Sequence, residues 1–557
     1  MTTKQQNSEK IKVFALGGIG EIGKNMYVVE AGEDIFVLDA GLMFPQEEML
    51  GIDIVIPDIT YLVQNKDRVK GIFLTHAHED HIGGLPFILK QLPVPVYGTK
   101  LTLGLVEAKL KEAGLHKSTQ THLVSSESVL DFGEYKVTFF GTNHSIPDSV
   151  GIAVHTPQGV IVNTGDFKID QSPIDGKHTD FGKIAELSSK GVLCMLSDST
   201  NAERPGMTGS EKSVGYEIDN VFSEAKGRII IASFASNVHR IQQIFTAAAK
   251  TNKKIVITGR SMVKVVDIAS DLGYLNIEKD SVISIDQMNN YAEDRIVILT
   301  TGSQGEQMAA LSRMAHKAHK QIAIRHTDTV VIAATPIPGN ERSVARIVDL
   351  LMRTGADVIF GQRKVHVSGH GSQEELKLML SLMKPKYFIP VHGEYKMQKA
   401  HQNLALQVGV EAENIFILEK GEVVEFADGL AKRTGKVPAG NVLVDGLGVG
   451  DIGNIVLRDR KLLSQDGILV VVVTISRASN QIISGPEIIS RGFVYVRESE
   501  ELLKEANKLV TEVLDKCMQE KVKDWSSLKS NMRDSLSHYL FDKTRRRPMI
   551  MPIIMEI

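Results

Sequence analysis

Residues 76–81 read HAHEDH and lie between the apolar runs IFLT and IGGLPFILKQL. The first run predicts a β-strand and the second predicts a helix, so HAHEDH is expected on a strand-end loop. Because alternate residues of an extended backbone point the same way, His76 and His78 can bind one metal ion. Asp80 and His81, past a bend, face a second ion. Four potential ligands in such a short stretch predict a metal site.

Two later residues add candidate ligands. His144 follows the predicted strand KVTFF, and Asp166 follows the predicted strand VIVNT. Taken singly, each has an ordinary interpretation, His144 as a structural histidine and Asp166 as a turn residue. Their positions at strand ends make both of them candidates for the same metal site.

Composition limits the class of protein. The chain has 557 residues, 43% of them hydrophobic, and 64 Lys+Arg against 67 Asp+Glu give a net charge of -3. This is ordinary globular composition for several folded units, not that of a disordered, collagenous or coiled-coil chain. Cys194 and Cys517 are too few for a disulfide framework or a cysteine-based zinc cage. The polar segment 1–10 and the short apolar runs predict no signal peptide and no membrane span, hence a cytoplasmic protein.

Short β-branched runs separated by amphipathic segments predict an α/β fold. A first series comprises VFAL at 13–16, IFVLD at 35–39, IFLT at 72–75, VIVNT at 160–164 and VLCML at 192–196. A second series predicts a parallel sheet covered by helices, and comprises RIIIAS at 228–233, KIVIT at 254–258, IVILT at 296–300 and TVVIAAT at 329–335. The C-terminal residues predict a small α/β module with strands ILVVVVTI and GFVYV and helices near 500–518 and 526–541.

A glycine pattern near the N-terminus resembles a dinucleotide-binding fingerprint. Gly18, Gly20 and Gly23 form GxGxxG after a predicted strand, and Asp39 lies near the position of a ribose-binding acid. Such a unit needs a helix that begins inside the glycine run. The β-branched MYVVE at 26–30 predicts a strand there, so we interpret the segment as a glycine-rich hairpin.

Several motifs together resemble known families. Asp39, HAHEDH, His144 and Asp166, in this order, resemble the metal-binding pattern of the metallo-β-lactamase superfamily. SDST, HVSGHGS and PVHGE resemble three signatures of its β-CASP nuclease branch, with Asp198, His370 and His392 in their acid and histidine positions. With GIGEIGKN, DAG, LLSQDG and GPEIISRGFVY also present, the resemblance covers essentially the whole chain and is to the bacterial ribonuclease J family.

The resemblance implies a domain organisation. It implies an αβ/βα metallo-β-lactamase sandwich formed by residues 1–210 and a return segment at 371–450. A β-CASP α/β domain at 211–370 is inserted between them. Residues 451–557 are then a linker and a small α/β C-terminal domain that mediates oligomerisation.

The resemblance also implies roles for individual residues. The first metal ion is assigned to His76, His78, His144 and Asp166, and the second to Asp80, His81, Asp166 and His392. Asp39 orients ligands, and catalysis is assigned to Asp80, Asp198 and His370, with His370 acting on transition-state charge or on the leaving oxygen. A phosphate-binding nest is assigned to His366, Val367, Ser368, Gly369, His370, Gly371, Ser372 and Ser236.

Two Zn²⁺ ions are the implied cofactors, with Mn²⁺ or Mg²⁺ as substitutes. Two such ions lower the pKa of a bound water toward about 7 and so supply a nucleophile for phosphodiester hydrolysis. Gly51, Asp53 and Asp445 match positions that bind a structural Ca²⁺ in relatives. A DxxG turn explains Asp445 equally well.

The implied function is RNA hydrolysis with 5′-to-3′ exonuclease and endonuclease activity in mRNA decay and rRNA maturation, favouring 5′-monophosphate ends. The implied assembly is a homodimer or homotetramer, or a hetero-oligomer with a paralogue, within an RNA-degradation complex. Three alternatives are a small-molecule hydrolase of the same superfamily, a DNA-acting β-CASP nuclease and a catalytically weak structural subunit. The inserted domain favours a polymer substrate, and His392 favours RNA over DNA.

Overall fold

The computed structural model describes residues 10–304, 309–337, 340–361, 363–476, 479, 481–494, 499–520, 522 and 524–557. The strands of the described residues are β1 Ile11–Gly17, β2 Met26–Ala31, β3 Asp34–Leu38, β4 Ile54–Pro57, β5 Val69–Phe73, β6 Val96–Gly98, β7 Thr121–Leu123, β8 Val129–Phe132, β9 Tyr135–Gly141, β10 Val150–Thr156, β11 Gly159–Asn163, β12 Val192–Asp198, β13 Ile229–Ala232, β14 Lys254–Ile257, β15 Ile296–Thr300, β16 Thr329–Ile332, β17 Asp357–Ile359, β18 Tyr387–Val391, β19 Glu422–Ala427, β20 Leu430–Lys436, β21 Asn441–Asp445, β22 Gly448–Val449, β23 Ile468–Ser476, β24 Gln481–Arg491 and β25 Met549–Glu556.

The α-helices of the same residues are α1 Thr60–Gln64, α2 Glu79–Ile82, α3 Leu85–Ile88, α4 Lys100–Glu112, α5 Phe181–Lys190, α6 Glu211–Glu224, α7 Val238–Lys250, α8 Arg260–Asp271, α9 Ala310–Ala315, α10 Glu341–Met352, α11 Gln373–Met383, α12 Tyr395–Gln407, α13 Asn454–Asp466, α14 Glu500–Gln519 and α15 Trp525–Thr544. No helix in the described part of the chain combines the length and the apolar composition needed to cross a bilayer. The chain forms two compact units, one of Met1–Phe44 and Val55–Val442, the other of Pro45–Ile54 and Leu443–Ile557.

Two sheets form the main body of the first unit. Their strand orders are β20-β19-β1-β2-β3-β5-β6-β7 and β18-β12-β11-β10-β9-β8. Alternate residues of one strand face opposite sides, so Val13 of β1 enters the core between the sheets while Phe14 enters a core shared with helices. Phe36 and Tyr135, from opposite sheets, meet in the inner core. This is the predicted αβ/βα sandwich.

The glycine-rich segment after β1 is a hairpin connection. Strands β1 and β2 pair antiparallel, with Val13 opposite Val29. No helix begins inside the glycine run. The hairpin interpretation is therefore confirmed, and a dinucleotide-binding unit is absent from this described segment.

A separate parallel sheet is inserted into the six-stranded sheet of the sandwich. The chain leaves after β12 and returns at β18, and these two strands pair in parallel. Between them lies a sheet of order β14-β15-β13-β16-β17, all of whose pairs are parallel. The predicted inserted α/β domain with a parallel sheet is confirmed. The domain boundaries given above stay a prediction.

The second unit contains a three-stranded sheet packed on two helices. Strand β23 lies between β24 and β25, and its inward residues Leu469 and Val471 pack with Leu514 and Leu536 of α14 and α15. The predicted strand ILVVVVTI and both predicted helices are present. The predicted strand GFVYV is wrong for its described residues, because Gly492 turns the chain at φ 67° directly after β24. Tyr495 and Val496 of that run lie outside the described residues.

Candidate metal centre

The candidate ligands come from strand ends that meet at one place. Strands β11, β12 and β18 are parallel neighbours, so their carboxyl ends lie together. Asp166 follows β11, Asp198 ends β12, and His392 follows β18 directly. The carboxyl edge of this sheet thus carries an acid or a histidine on each of three adjacent strands.

HAHEDH follows β5 of the other sheet and does not remain extended. His78 is the last extended residue, with ψ 152°, and α2 already begins at Glu79. The sequence analysis predicted that the helix begins after HAHEDH. The structure corrects this prediction, because α2 begins inside the motif. The early turn separates Asp80 and His81 from His76 and His78, which is the division that two metal sites require.

The ligand atoms form two groups that share one carboxylate. Each group has ligand atoms within 4.8 Å of one another, and the groups are His76, His78, His144 and Asp166, and Asp80, His81, Asp166 and His392. A third group with the same spacing consists of Asp166, Asp198, His370 and His392. The structure brings together all seven residues predicted to bind metal.

Distances within the first group show convergence on one point. The Nδ1 atom of His78 lies 3.0 Å from Nε2 of His76 and 3.0 Å from Nε2 of His144. The Oδ2 atom of Asp166 lies 3.7 Å from Nε2 of His76 and 3.8 Å from Nε2 of His144. Three imidazole nitrogens and a carboxylate so arranged are a donor set suited to zinc.

Electrostatics support cation binding. Burial lowers the pKa of His78 to about 4 and lowers the pKa of His76 and His144 well below the usual value. Neutral imidazoles can donate a lone pair to a metal ion. Burial acts to raise the pKa of Asp166, but His392 and His81 hold it well below the usual range. Burial acts to lower the pKa of His81 and His392, but Asp166 and the neighbouring carboxylates raise it well above the usual value. Buried carboxylates so placed require positive charge, which divalent metal ions can supply in place of these protons.

Asp39 contacts the candidate ligand His81 on the side away from the other donor atoms. Its Oδ2 atom lies 2.8 Å from Nδ1 of His81, and its Oδ1 atom accepts a 2.8 Å hydrogen bond from the backbone N–H of Thr75. Asp39 is fully buried and has φ 64°, a strained conformation for a residue with a side chain. The contacts place Asp39 against His81 and Thr75, and its role in orienting a ligand stays a prediction.

Asp39→Asn is expected to weaken metal binding by roughly 10- to 100-fold, because loss of an outer-shell partner has that effect on metal affinity. Zinc affinity measured by competition with a chelating dye checks this. The exposed Asp175→Asn variant is the matched control. Unchanged affinity in Asp39→Asn would show that His81 needs no support from this carboxylate.

Sequence reasoning missed two supporting residues. The Nδ2 atom of Asn25 donates to the backbone oxygen of Asp80 at 3.1 Å and lies 3.0 Å from Nε2 of His81. The hydroxyl of Thr75 lies 3.0 Å from Nδ1 of His76. Asn25 stands in GIGEIGKN, a motif used for the resemblance but not for the site, while Thr75 immediately precedes HAHEDH.

His370 and Asp198 form a pair beside the donor groups. Nδ1 of His370 lies 2.7 Å from Oδ2 of Asp198, whose Oδ1 accepts hydrogen bonds from the backbone N–H and hydroxyl of Thr200 at 2.9 and 2.7 Å. Burial acts to lower the pKa of His370, but Asp198 and Asp166 outweigh it and raise the pKa. The ring is therefore held by one nitrogen and favours its protonated form.

Two predicted phosphate donors of the HVSGHGS loop are occupied by the protein. The N–H of Gly371 donates to the backbone oxygen of Phe167 at 2.6 Å. Ser372 is buried and forms the capping box of α11 with Glu375. The predicted nest is corrected for these two groups, since neither is free to meet a phosphate.

Other loop residues are better placed for an anion. Ser368 is half-buried, and its Oγ accepts hydrogen bonds from Asn201 at 2.9 Å and from the N–H of His370 at 3.1 Å, which leaves its own O–H as a donor. The backbone oxygen of Gly369 lies 2.7 Å from Nδ1 of His144 and ties the loop to the metal centre.

The remaining predicted substrate residues have other neighbours. Nδ1 of His366 accepts a 2.9 Å hydrogen bond from Arg240, and Val367 packs against a hydrophobic core. Ser236 is half-buried in the turn before α7, where Asn237 caps the helix.

The predicted calcium residues are close together but surround an arginine. Nη2 of Arg460 lies 2.6 Å from Oδ2 of Asp445, and an added Cβ at Gly51 would lie 2.7 Å from Nη1 of Arg460. Oδ2 of Asp53 accepts a 2.8 Å hydrogen bond from the N–H of Gly446. A cation and a backbone N–H already satisfy these carboxylates, so in this arrangement the residues do not fit Ca²⁺.

Models of four protein families match successive parts of the chain. They are the metallo-β-lactamase superfamily at 19–190, the ribonuclease J β-CASP domain at 226–351, the Zn-dependent metallo-hydrolase RNA specificity domain at 355–417, and the ribonuclease J C-terminal domain at 455–557. With the shared donor groups, these matches define a β-CASP metallo-hydrolase.

Full-length relatives specify the family. The chain is 55% identical over 554 residues to Ribonuclease J2 of Bacillus subtilis strain 168, with 100% of both chains covered. It is 48% and 47% identical over 557 residues to Ribonuclease J 2 of Staphylococcus epidermidis and of Staphylococcus aureus strain NCTC 8325, again with 100% of both chains covered. The chain belongs to the ribonuclease J family.

A solved structure shares the fold. The crystal structure of a protein of unknown function from Enterococcus faecalis V583 has a TM-score of 0.54 and 16% identity, and the match covers 75% of this chain and 100% of that chain. At that identity the likeness shows the fold alone.

Proposed function

We propose that this protein hydrolyses RNA phosphodiester bonds with two bound Zn²⁺ ions, as both a 5′ exonuclease and an endonuclease. The observation that carries the proposal is the pair of His/Asp donor groups joined by Asp166. His76, His78, His144 and Asp166 hold one ion, and Asp80, His81, Asp166 and His392 hold the other. When bound, such ions supply an activated water at neutral pH and neutralise charge on a phosphate.

Residues of the protein itself can hold a proton and deliver it to the leaving group. Asp198 keeps the proton of His370 at Nδ1, and the raised pKa of His370 favours a second proton at Nε2. That N–H can donate to the leaving 3′-oxygen, so the products carry a 3′-hydroxyl and a 5′-phosphate. Thr200 holds the carboxylate of Asp198 in place for this task.

A cleft of about 560 Å³ lies beside the metal centre, and its lining includes His144. Its lysines, Lys100, Lys168 and Lys177, are matched by four carboxylates of the same lining, so the proposal of a polyanionic substrate rests on the donor groups and not on the charge of this cleft. RNA as substrate is also the reason why we propose a cytoplasmic location.

Digestion of labelled RNA tests the proposal. Zinc-loaded protein is incubated with 5′-labelled and internally labelled RNA and with DNA of the same sequence. We expect 5′ mononucleotides and internal fragments from RNA, and little cleavage of DNA. Absence of cleavage would favour the structural subunit, and equal cleavage of DNA would contradict the choice of RNA.

Monophosphorylated 5′ ends are expected to be degraded faster than triphosphorylated ends, because the O–H of Ser368 and the compact loop around it suit one phosphate. Ser368→Ala is expected to reduce this preference by roughly tenfold, since a hydrogen bond to a charged group is lost. Rates on both 5′ ends and on an internal site are the measurement, with Ser223→Ala as control. Equal rates on monophosphorylated and triphosphorylated RNA in the unmodified protein would contradict a site for a single 5′ phosphate at the Ser368 loop.

The C-terminal unit is expected to make the protein a homodimer, because the outer face of its sheet is apolar and exposed. Val470 of β23 is flanked on that face by Ile489 and Met551, and Ile553 and Met555 extend it. Such a contiguous apolar surface marks an interface. Light scattering should give twice the chain mass, and Ile553→Lys should halve it while Leu430→Lys, on the first unit, should not. A single-chain mass for the unmodified protein would contradict this.

A further inference from the structure

Two aromatic rings near the metal centre are strongly exposed. Phe44 is 66% exposed and Tyr395 is 63% exposed. One exposed ring is normal on a protein surface. Two rings on segments that border one candidate metal site, the first segment contacting Asp80 and the second containing His392, point to a ligand with flat apolar faces.

Phe44 follows a segment packed on HAHEDH. The N–H of Leu42 donates to the backbone oxygen of Glu79 at 3.1 Å. A Cβ added at Gly41 would lie 1.6 Å from the backbone oxygen of Asp80, so the chain at Gly41 rests directly on this ligand. Three residues of chain span at most about 10 Å, so the Cα atom of Phe44 lies within about 10 Å of that of Gly41.

Tyr395 follows the ligand His392 by the same interval. The N–H of His392 donates to the backbone oxygen of Gly18 at 2.7 Å, and Gly393 pairs with Glu21 in an antiparallel bridge. Tyr395 then begins α12, whose buried face starts at Met397. The ring of Tyr395 is therefore on the solvent side of a backbone fixed at the metal centre.

The glycine-rich loop 18–25 joins the two segments. Lys24 donates its N–H to the backbone oxygen of Leu42 at 2.8 Å, and Asn25 donates its N–H to that of Asp80 at 2.9 Å. At its other end the same loop contacts His392. Loop 18–25 and the two segments thus form one wall on the Asp80 and His392 side of the centre. Phe44 follows one of these segments in the sequence, and Tyr395 follows the other.

We propose that Phe44 and Tyr395 form a base-stacking subsite for single-stranded RNA. Each nucleobase has a π-face, so stacking on these rings adds affinity without sequence preference. This subsite rests on the proposed RNA substrate and adds a second point of attachment to it.

The subsite lies on the downstream side of the cleaved bond. Gly369 and His370, in the loop proposed to hold the 5′ phosphate, contact His144 and Asp198. The wall formed by loop 18–25 and its two neighbouring segments instead contacts Asp80 and His392. An RNA strand whose 5′ end lies at the loop crosses the metal centre and reaches the rings with its following nucleotides. Loss of a ring should then weaken exonuclease and endonuclease substrates equally.

Binding and cleavage together test the subsite. Kd for a 5′-monophosphorylated single-stranded RNA is measured by anisotropy with zinc-loaded protein carrying His370→Ala, to slow cleavage. Phe44→Ala and Tyr395→Ala should each raise Kd roughly tenfold. Tyr395→Phe, which keeps the ring, should leave Kd unchanged. Tyr216→Ala removes a ring that is 64% exposed on α6, a helix without metal ligands, and is the matched control.

An RNA with abasic residues at single positions after the 5′ nucleotide identifies the contact. At the stacked position the abasic RNA should bind the unmodified protein as weakly as the Ala variant, and the two changes should not add. Unchanged Kd in both Ala variants, or an equal loss on every abasic RNA, would overturn the subsite even if RNA is cleaved. Ring-dependent binding without cleavage would overturn the proposed hydrolysis and leave the subsite standing.

Discussion

Asp166→Ala is expected to lower RNA cleavage by roughly 10³-fold or more and to reduce bound zinc below one ion per chain. Asp166 belongs to every donor group of the described residues, and its two oxygens face different histidines. Oδ1 lies 2.8 Å from Nδ1 of His392, and Oδ2 lies 3.1 Å from Nε2 of His81. Without the metal ions the transition state loses several kcal/mol of charge stabilisation, so the activation barrier rises.

The measurement for this variant is zinc content by elemental analysis alongside the cleavage rate, with far-ultraviolet circular dichroism to check the fold. Asp80→Ala should lose the second ion and nearly all activity. Asp349→Ala, at an exposed carboxylate of α10, is the control for both. Full activity with two ions per chain in Asp166→Ala would show that Asp166 is not a ligand shared by the two ions.

His370→Ala is expected to retain both metal ions and to lose roughly 10²- to 10⁴-fold in rate, the usual contribution of a general acid or base. Its ring contacts Asp198 at 2.7 Å but lies 4.0 Å from Asp166. Each proposed ion already has four protein ligands without it. The rate loss should appear in kcat more than in KM, because the contact acts on charge in the transition state.

The His370→Ala experiment also decides between two roles for the third donor group. Zinc content equal to that of the unmodified protein supports proton donation by His370. Loss of one ion would make His370 a metal ligand instead. Asp198→Asn should reproduce part of the rate loss with intact zinc content, since it leaves the imidazole present but poorly oriented.

Local patterns predicted most of the fold. The strand at 468–476 and the parallel strands between residues 229 and 359 consist largely of β-branched residues, which favour strands. A hairpin rather than a helix follows β1 because MYVVE also favours a strand. The start of α2 inside HAHEDH was not predictable, since it depends on Ala40 and Leu42 donating to the backbone oxygens of His81 and Glu79. Those contacts join segments far apart in sequence.

The four candidate ligands of HAHEDH were predictable because such a density of histidine and aspartate is rare and their spacing is local. His144 and Asp166 were candidates because they follow predicted strands, and His392 was a candidate only through the family resemblance. The partners of other groups were not. Gly371 is occupied by Phe167, Asp445 by Arg460, and Asp80 is supported by Asn25, and each contact depends on tertiary packing. The predicted phosphate nest therefore loses Gly371 and Ser372. The residues predicted to bind Ca²⁺ surround an arginine and do not fit that ion.

The most direct test titrates Zn²⁺ into metal-stripped protein while bound zinc and the rate of RNA hydrolysis are followed together. The two joined donor groups predict that hydrolysis is absent without zinc and reaches its maximum when two ions are bound per chain. Cleavage by the metal-free protein, or a maximum rate with a single ion bound, would contradict the two-metal centre.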